Sequence, residues 1–455
     1  MDQNLNPNAA TLTKTLCGHL ATARFSDLSA TAQREARRGV LDWVGCALAG
    51  SRHKSIDTLL GVLREVSGRP QATVIGRDLK LGLLDAPLAN GQMGHVLDFD
   101  DTHMGGEPGG VLLHASSPIL PALFSLAERT LVSGADFILA YAAGFEAGIR
   151  SGLTAPGHHQ GGWHLTGTLG TIAAAVAGGK LIGLDTQKLT YAMGIAATQA
   201  AGMQQNRGTM CKSFHAGKAA QNGVLAALLA ERGFDSTQEI IEGRKGFCRV
   251  YSDTAAPARL TAGLGERWLI ETNGHKPYAC GVVLHPLIDA VIAIRNRERI
   301  DSAAVSEISL RVHPFVLSIT NVAEPSTGLQ SKFSAAHSAA VALIDGAAGI
   351  AQYSDAKATD PIVAALRRKT KAIADTTLGS DEAYAIIVAG SKRHEVHIRH
   401  AGGTAANPMS DAAIEAKFLA NATPVIGGER AQSIVEFAWT LERRSDVRDL
   451  IALLG

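Results

Sequence analysis

The run from Thr168 to Ile182 constrains this chain more than any other stretch. Leu169, Ile172 and Val176 recur at helical spacing. Ala173, Ala174, Ala175, Gly178 and Gly179 leave little bulk on the other sides, so the helix is expected to be buried nearly all round. Such a slender helix suits a core in which helices approach one another closely. With 48 glycines and 5% aromatic residues, the whole chain shares that character. Its 455 residues are enough for two or three domains and an ample core.

Helical patterns fill the first half. Ser29 is placed to cap a helix ending at Gly50. Further helices are expected over 83–97, 117–129, 135–150, 168–182 and 186–203. Gly183 and Asp185 separate the last two as a terminal glycine and an N-cap. Ser236-Thr-Gln-Glu239 reads as a capping box for a short helix. Only 71–75 reads as a strand in this half. After Trp268 the character changes. Ile308, Leu310 and Val312 alternate with polar residues, strands are expected over 384–388 and 395–400, and Ala389-Gly-Ser-Lys392 reads as the hairpin turn between the latter two. Helices over 286–295 and 335–343 intervene. Ser410 then caps a further helix containing Lys417 and Phe418, and the tail is helical. The expected fold is mainly α. A large helical domain over 1–267 is completed by a C-terminal return over 404–455, with an α+β lid domain over 268–403 between them.

A net charge of +1 gives no reason to expect nucleic acid or a membrane surface as partner. No apolar run is long enough to span a bilayer, and the polar start lacks a signal peptide's pattern. Cys17, Cys46, Cys211, Cys248 and Cys280 are widely spaced and odd in number, which fits neither a CxxC motif nor a disulfide framework. A cytoplasmic location is expected.

Chemistry concentrates in Gly94-His-Val-Leu-Asp-Phe-Asp-Asp-Thr-His103. Three carboxylates so close to an apolar helix are costly to desolvate without partners. Asp98-Phe-Asp-Asp-Thr102 matches the DxDxT pattern of magnesium-dependent phosphohydrolases, but that motif should end a buried strand, and here a helix precedes it. A divalent ion on Asp98, Asp100, Asp101 and His103 is the other metal reading; no metal is favoured.

The same residues with His114-Ala-Ser-Ser-Pro118 resemble the hallmark of the MmgE/PrpD family. The likeness continues in order through 40–50, Gly162-Trp-His164, Gly208-Thr-Met-Cys-Lys212 with His215-Ala-Gly217, Lys276-Pro-Tyr-Ala-Cys-Gly281 with His285, Lys332-Phe-Ser334 and Asn407-Pro-Met-Ser410. The resemblance implies a homodimer and cofactor-independent proton transfer beside a carboxylate of a small polycarboxylate. It places catalytic residues at Asp98, His114, His164 and Lys212, with Thr102 and, from the hinge segment, Lys276, Tyr278 and Cys280 on the substrate. The preferred reading is dehydration of a 2-hydroxy acid such as 2-methylcitrate. The alternatives are epimerisation of an iminodisuccinate-like acid and decarboxylation of cis-aconitate. A related decarboxylase carries a histidine near Cys280, at a position where this chain has Cys280 or Gly281.

These residue types suit that chemistry. Lysine and protonated histidine bind carboxylates, and histidine or a depressed lysine removes a carbon-bound proton. Asp98 would orient a histidine or lysine. His164 is the preferred base, because a helix start keeps imidazole neutral. Plainer roles are expected for other residues: Asp100 and Asp101 as helix caps or arginine partners, His95 as a core histidine, His103, His158 and His159 as solvated loop residues, Cys211 as a packed residue. His215 and Lys218 could support Lys212 from the same helix. The stretch 104–110 reads as a loop insertion at the pocket mouth.

Overall fold

The computed structural model describes residues 11–104 and 111–455, so most of the expected 104–110 insertion lies outside the described residues. Two apolar cores organise the molecule. One gathers residues from Leu16 to Ile270 and again from Ile414 to Leu454. The other gathers Ala279 to Ile387 and reaches back to Cys46, Val96, Leu97 and Phe99. No helix among the described residues is long and apolar enough to cross a membrane.

The first core is a stack of helices. Ser29 caps Ala30–Gly50 through its side chain, and Asp185 caps Thr186–Ala197 in the same way. The Leu165–Leu181 helix is buried from Leu165 to Gly179. Small residues set its spacing. A Cβ on Gly223 of the Met210–Glu231 helix would lie 2.4 Å from the Ala174 Cβ, and one on Gly217 would lie 2.1 Å from the Leu88 carbonyl oxygen. The C-terminal Asp411–Ile426 helix packs on Ala30–Gly50, where a Cβ on Gly45 would touch Phe418.

The second core backs a four-stranded sheet in the order Thr370–Ala374, Val305–Val312, Ala383–Ala389, Lys392–Ile398. The first pair is parallel and the rest antiparallel. Ile308, Leu310 and Val312 are buried with Ala383, Ala385 and Ile387, and the helices His285–Glu298 and Ala335–Asp345 belong to the same core. Gly390 turns the hairpin with φ 59°.

The structure departs from the sequence reading in places. The Thr186 helix ends at Ala197, short of Met203. Ser236-Thr-Gln-Glu239 starts no helix; the Ser236 hydroxyl instead donates to the Tyr191 carbonyl and the segment forms turns. Ala72–Thr73 pairs with Lys80–Leu81, a two-residue strand that the sequence reading did not anticipate. Thr370–Ala374 was also not anticipated, because an exposed edge strand needs no alternation.

Candidate active site

The Asp85–Val96 helix ends at Leu97, and Asp98 follows at φ 50°. That left-handed residue turns the chain sharply, and aspartate tolerates the region better than most residues. Asp98, Asp100 and Asp101 consequently face different partners. The segment then crosses between the two cores, where Thr102 and Gly274 exchange backbone hydrogen bonds at 2.8 and 3.2 Å.

Asp98 is the centre of a lysine cluster. One carboxylate oxygen accepts from Lys212 Nζ at 2.8 Å; the other accepts from Lys276 Nζ. Lys276 also donates to the Asp98 and Cys280 carbonyls, each at 3.1 Å. Burial would raise the Asp98 carboxyl, but Lys212 and Lys276 outweigh it and hold it well below its usual range. Lys332 lines the same cavity as Asp98, Lys212 and Phe333, and donates to the Leu97 and Ala279 carbonyls at 2.7 and 2.6 Å. Burial lowers it to about 8. Lys212 lies in the first turn of Met210–Glu231, whose positive end disfavours an ammonium group. Burial also lowers it, against the pull of Asp98.

Asp100 organises the imidazoles. His95 Nδ1 lies 2.9 Å from one Asp100 oxygen, the Ser117 hydroxyl donates to that oxygen at 2.6 Å, and Trp43 Nε1 donates to Ser117 at 3.0 Å. Burial opposes ionisation of Asp100, yet His95 and His114 hold its carboxyl well below the usual range. Burial lowers His95 to about 4, so it is a neutral ring donating Nδ1–H. Its Nε2 is buried without a partner among the described residues, and the ring lines the cavity beside Asp98. His114 Nδ1 lies 2.9 Å from the Thr102 hydroxyl and 3.5 Å from Asp100.

His164 is the N-cap of Leu165–Leu181. Its ring stacks on His95 at 5.5 Å between centroids, and its Nδ1 lies 3.0 Å from His215 Nδ1. Burial and then the Lys212 charge hold it well below its ordinary value, so it is neutral.

The structure therefore brings Asp98, Thr102, His114, His164, Lys212 and Lys276 together. Cys280 contributes its carbonyl; burial pushes its thiol up to about 12. Tyr278 is turned elsewhere, its hydroxyl bonded to Asp289 at 2.5 Å. The sequence reading placed His95 in the core and gave Lys332 no role in the site. Lys332 carried a signal, its place in the Lys332-Phe-Ser334 motif; His95 carried none that separates a packed histidine from a functional one.

Other expectations are corrected. Asp100 and Asp101 neither cap helices nor meet arginine: Asp101 accepts from Ser116 at 2.7 Å and Asn273 at 2.8 Å, and burial raises it to about 7. His103 is not solvated, lying 2.8 Å from the Val111 carbonyl and 3.1 Å from Thr272. His158 is buried beside Phe247 and Tyr251, and His159 is half-buried beside Phe315. Cys211 is exposed. The helix before Asp98 removes the phosphohydrolase reading, whose motif needs a strand there. Asp98, Asp100, Asp101 and His103 do not converge on one ion. Only His95, Asp100 and His114 bring their donor atoms within 4.8 Å among the described residues, and these are engaged with one another, Ser117 and Thr102.

Lysines around Asp98 and imidazoles around Asp100 thus form one buried cluster, chemically suited to hold an anion and to move protons. The MmgE/PrpD N-terminal domain matches residues 14–260 and the MmgE/PrpD C-terminal domain matches 278–443. The chain belongs to the MmgE/PrpD family. It is 28% identical to a cis-aconitate decarboxylase of Aspergillus terreus, covering 100% of this chain and 98% of that protein. It is 28% identical to the cis-aconitate decarboxylase-like protein oryM of Aspergillus oryzae, over 98% and 97%. Against the cis-aconitate decarboxylase of Homo sapiens the identity is 26%, over 92% and 90%.

Proposed function

We propose that this chain is a lyase acting on a small tricarboxylate of the cis-aconitate type. The observation that carries this reading is the cationic excess: Lys212 and Lys276 share the Asp98 carboxylate, and Lys332, bonded to two backbone carbonyls, lines the same cavity. Such an excess is costly in a buried cavity, and an anionic substrate would offset it. Lysine charge would hold those carboxylates and stabilise the carbanion that forms beside one of them. Decarboxylation is the first reading, supported by what the relatives are named for. The bond to the departing carboxylate breaks, carbon dioxide leaves, and the electron pair spreads into the remaining conjugated acid. A proton then reaches carbon from an N–H of His164 or His114, and a solvent proton replaces it on that imidazole. Residues Asp98, Thr102, His114, His164, Lys212 and Lys276 carry the site in this proposal, with a homodimer as the proposed assembly.

Dehydration of a 2-hydroxy acid such as 2-methylcitrate is the second reading. It is favoured by the resemblance, in which a related decarboxylase carries a histidine near Cys280, where this chain has Cys280 or Gly281. Here a neutral histidine removes the α-proton, and the substrate hydroxyl, protonated by that histidinium or by a lysine ammonium, leaves as water. NMR of cis-aconitate, 2-methylcitrate and iminodisuccinate incubated with the protein in deuterated water separates the outcomes. Carbon dioxide with a deuterated product supports the first reading, a new alkene the second. Label without net change supports epimerisation, and no change in any of them defeats the proposal.

A further inference from the structure

We propose that His215 is a positioning residue that links the base His164 to solvent through a second cavity, a reading that rests on the proposed acid–base role of His164. The two rings meet Nδ1 to Nδ1 at 3.0 Å. Such a contact holds one proton, so one ring donates and the other accepts. If His164 donates, its Nε2 is left with a lone pair, and the ring stacks on His95, which lines the substrate cavity.

The second cavity has about 230 Å³ of space, room for several waters, and is lined by His215 with Gly167, Gly202, Met203, Cys211 and Lys218. Met203, Cys211 and Lys218 are exposed, so it opens to the surface. The position of His215 is built. A Cβ on Gly202, where φ is 137°, would lie 3.3 Å from the ring's Cγ and Nδ1, and one on Gly167 would lie 3.2 Å from the His215 Cβ. The Gly202 carbonyl also accepts from the His164 backbone N–H at 3.0 Å. Burial and then Lys212 lower His215 to about 4, matching it to a neutral His164.

The relay balances in both directions. When the substrate's C–H bond breaks, its proton goes to His164 Nε2, the Nδ1 proton of His164 passes to His215 Nδ1, and the Nε2 proton of His215 leaves to water in the second cavity. Run backwards, a solvent proton reaches the carbanion left by carbon dioxide. The substrate cavity need not open to water during the reaction.

The test compares wild type with His215→Ala and His215→Phe on cis-aconitate and 2-methylcitrate. The relay predicts a 10- to 100-fold loss of kcat in both variants with KM within twofold, and imidazole restores much of the loss in His215→Ala but none in His215→Phe, whose ring fills the space. Unchanged kcat, or a loss that imidazole leaves untouched in His215→Ala, overturns it. Should wild type turn over neither acid, the functional proposal alone falls, and 15N NMR of histidine-labelled protein decides the relay. One proton bridging two Nδ1 atoms supports it, and two separate ordinary Nδ1 signals overturn it.

Discussion

At the scale of single residues, the site depends on how charges are compensated. Asp98 is the only carboxylate bonded to Lys212 and Lys276 among the described residues. Asp98→Asn leaves two buried ammonium groups without it, and removing one partner of a buried pair costs about 3–5 kcal/mol. Denaturant melts should show that loss, and kcat should fall at least 100-fold. Lys332, held near 8 by burial, is charged below that pH and neutral above it. KM for an anionic substrate should therefore rise as pH passes 8, and Lys332→Met should abolish that rise. Asp101 has the opposite sign for stability. The unfolded carboxyl ionises near 3.8 and the folded one near 7, so between those values the folded chain binds more protons. Stability falls as pH rises through that window. Asp101→Asn should raise the melting temperature at pH 8 and change it little at pH 4.

Helices and strands place these residues. Asp98 rides on the end of Asp85–Val96 and Lys212 on the start of Met210–Glu231. Gly217, against the Leu88 carbonyl, fixes how closely these two helices approach. Gly217→Ala should force them apart, with a cost of about 1–3 kcal/mol in thermal melts and a loss of kcat, because the Lys212–Asp98 contact moves with the helices. Much at this scale was legible. Ser29, Asp185 and Ser410 cap the helices they open, and the alternation at Ile308, Leu310 and Val312 marks the central strand. What escaped was decided by tertiary context. Ser236 spends its hydroxyl on the Tyr191 carbonyl, and Thr370–Ala374 is recruited by the edge of Val305–Val312. In the site, the family resemblance, carried by ordered motifs, singled out Asp98, His114, His164 and Lys212. Whether a buried histidine is packing or chemistry depends on what faces its second nitrogen, so His95 became visible only with Asp100 and the cavity in place. Tyr278 looked equal to its neighbours in sequence until Asp289, eleven positions on, took its hydroxyl.

Across the whole molecule, distant chain segments meet at one ionic cluster. Asp42 forms an ion pair with Lys417 of the C-terminal return at 2.6 Å and lies 3.0 Å from His275 of the segment joining the cores, while Glu35 takes the other side of that ring. Burial would lower His275, but Glu35 and Asp42 raise it to about 10. Its stabilising effect is complete below about 6.5 and is lost as pH rises through 10. Melting temperature should decline over that alkaline range, and His275→Gln should flatten the decline while costing a few kcal/mol at pH 7. The same segment carries Lys276 into the site, so the joint between the cores and the anion-binding wall are one construction. The proposed function requires this wall to hold several carboxylates at once. Calorimetric titration with an unreactive saturated tricarboxylate tests it most directly, in wild type, Lys212→Met and Lys332→Met. The account predicts binding that weakens at least tenfold in each variant and weakens again when one carboxylate is replaced by an amide. Equal binding of the tricarboxylate and its amide, or affinity unchanged in both variants, would contradict it.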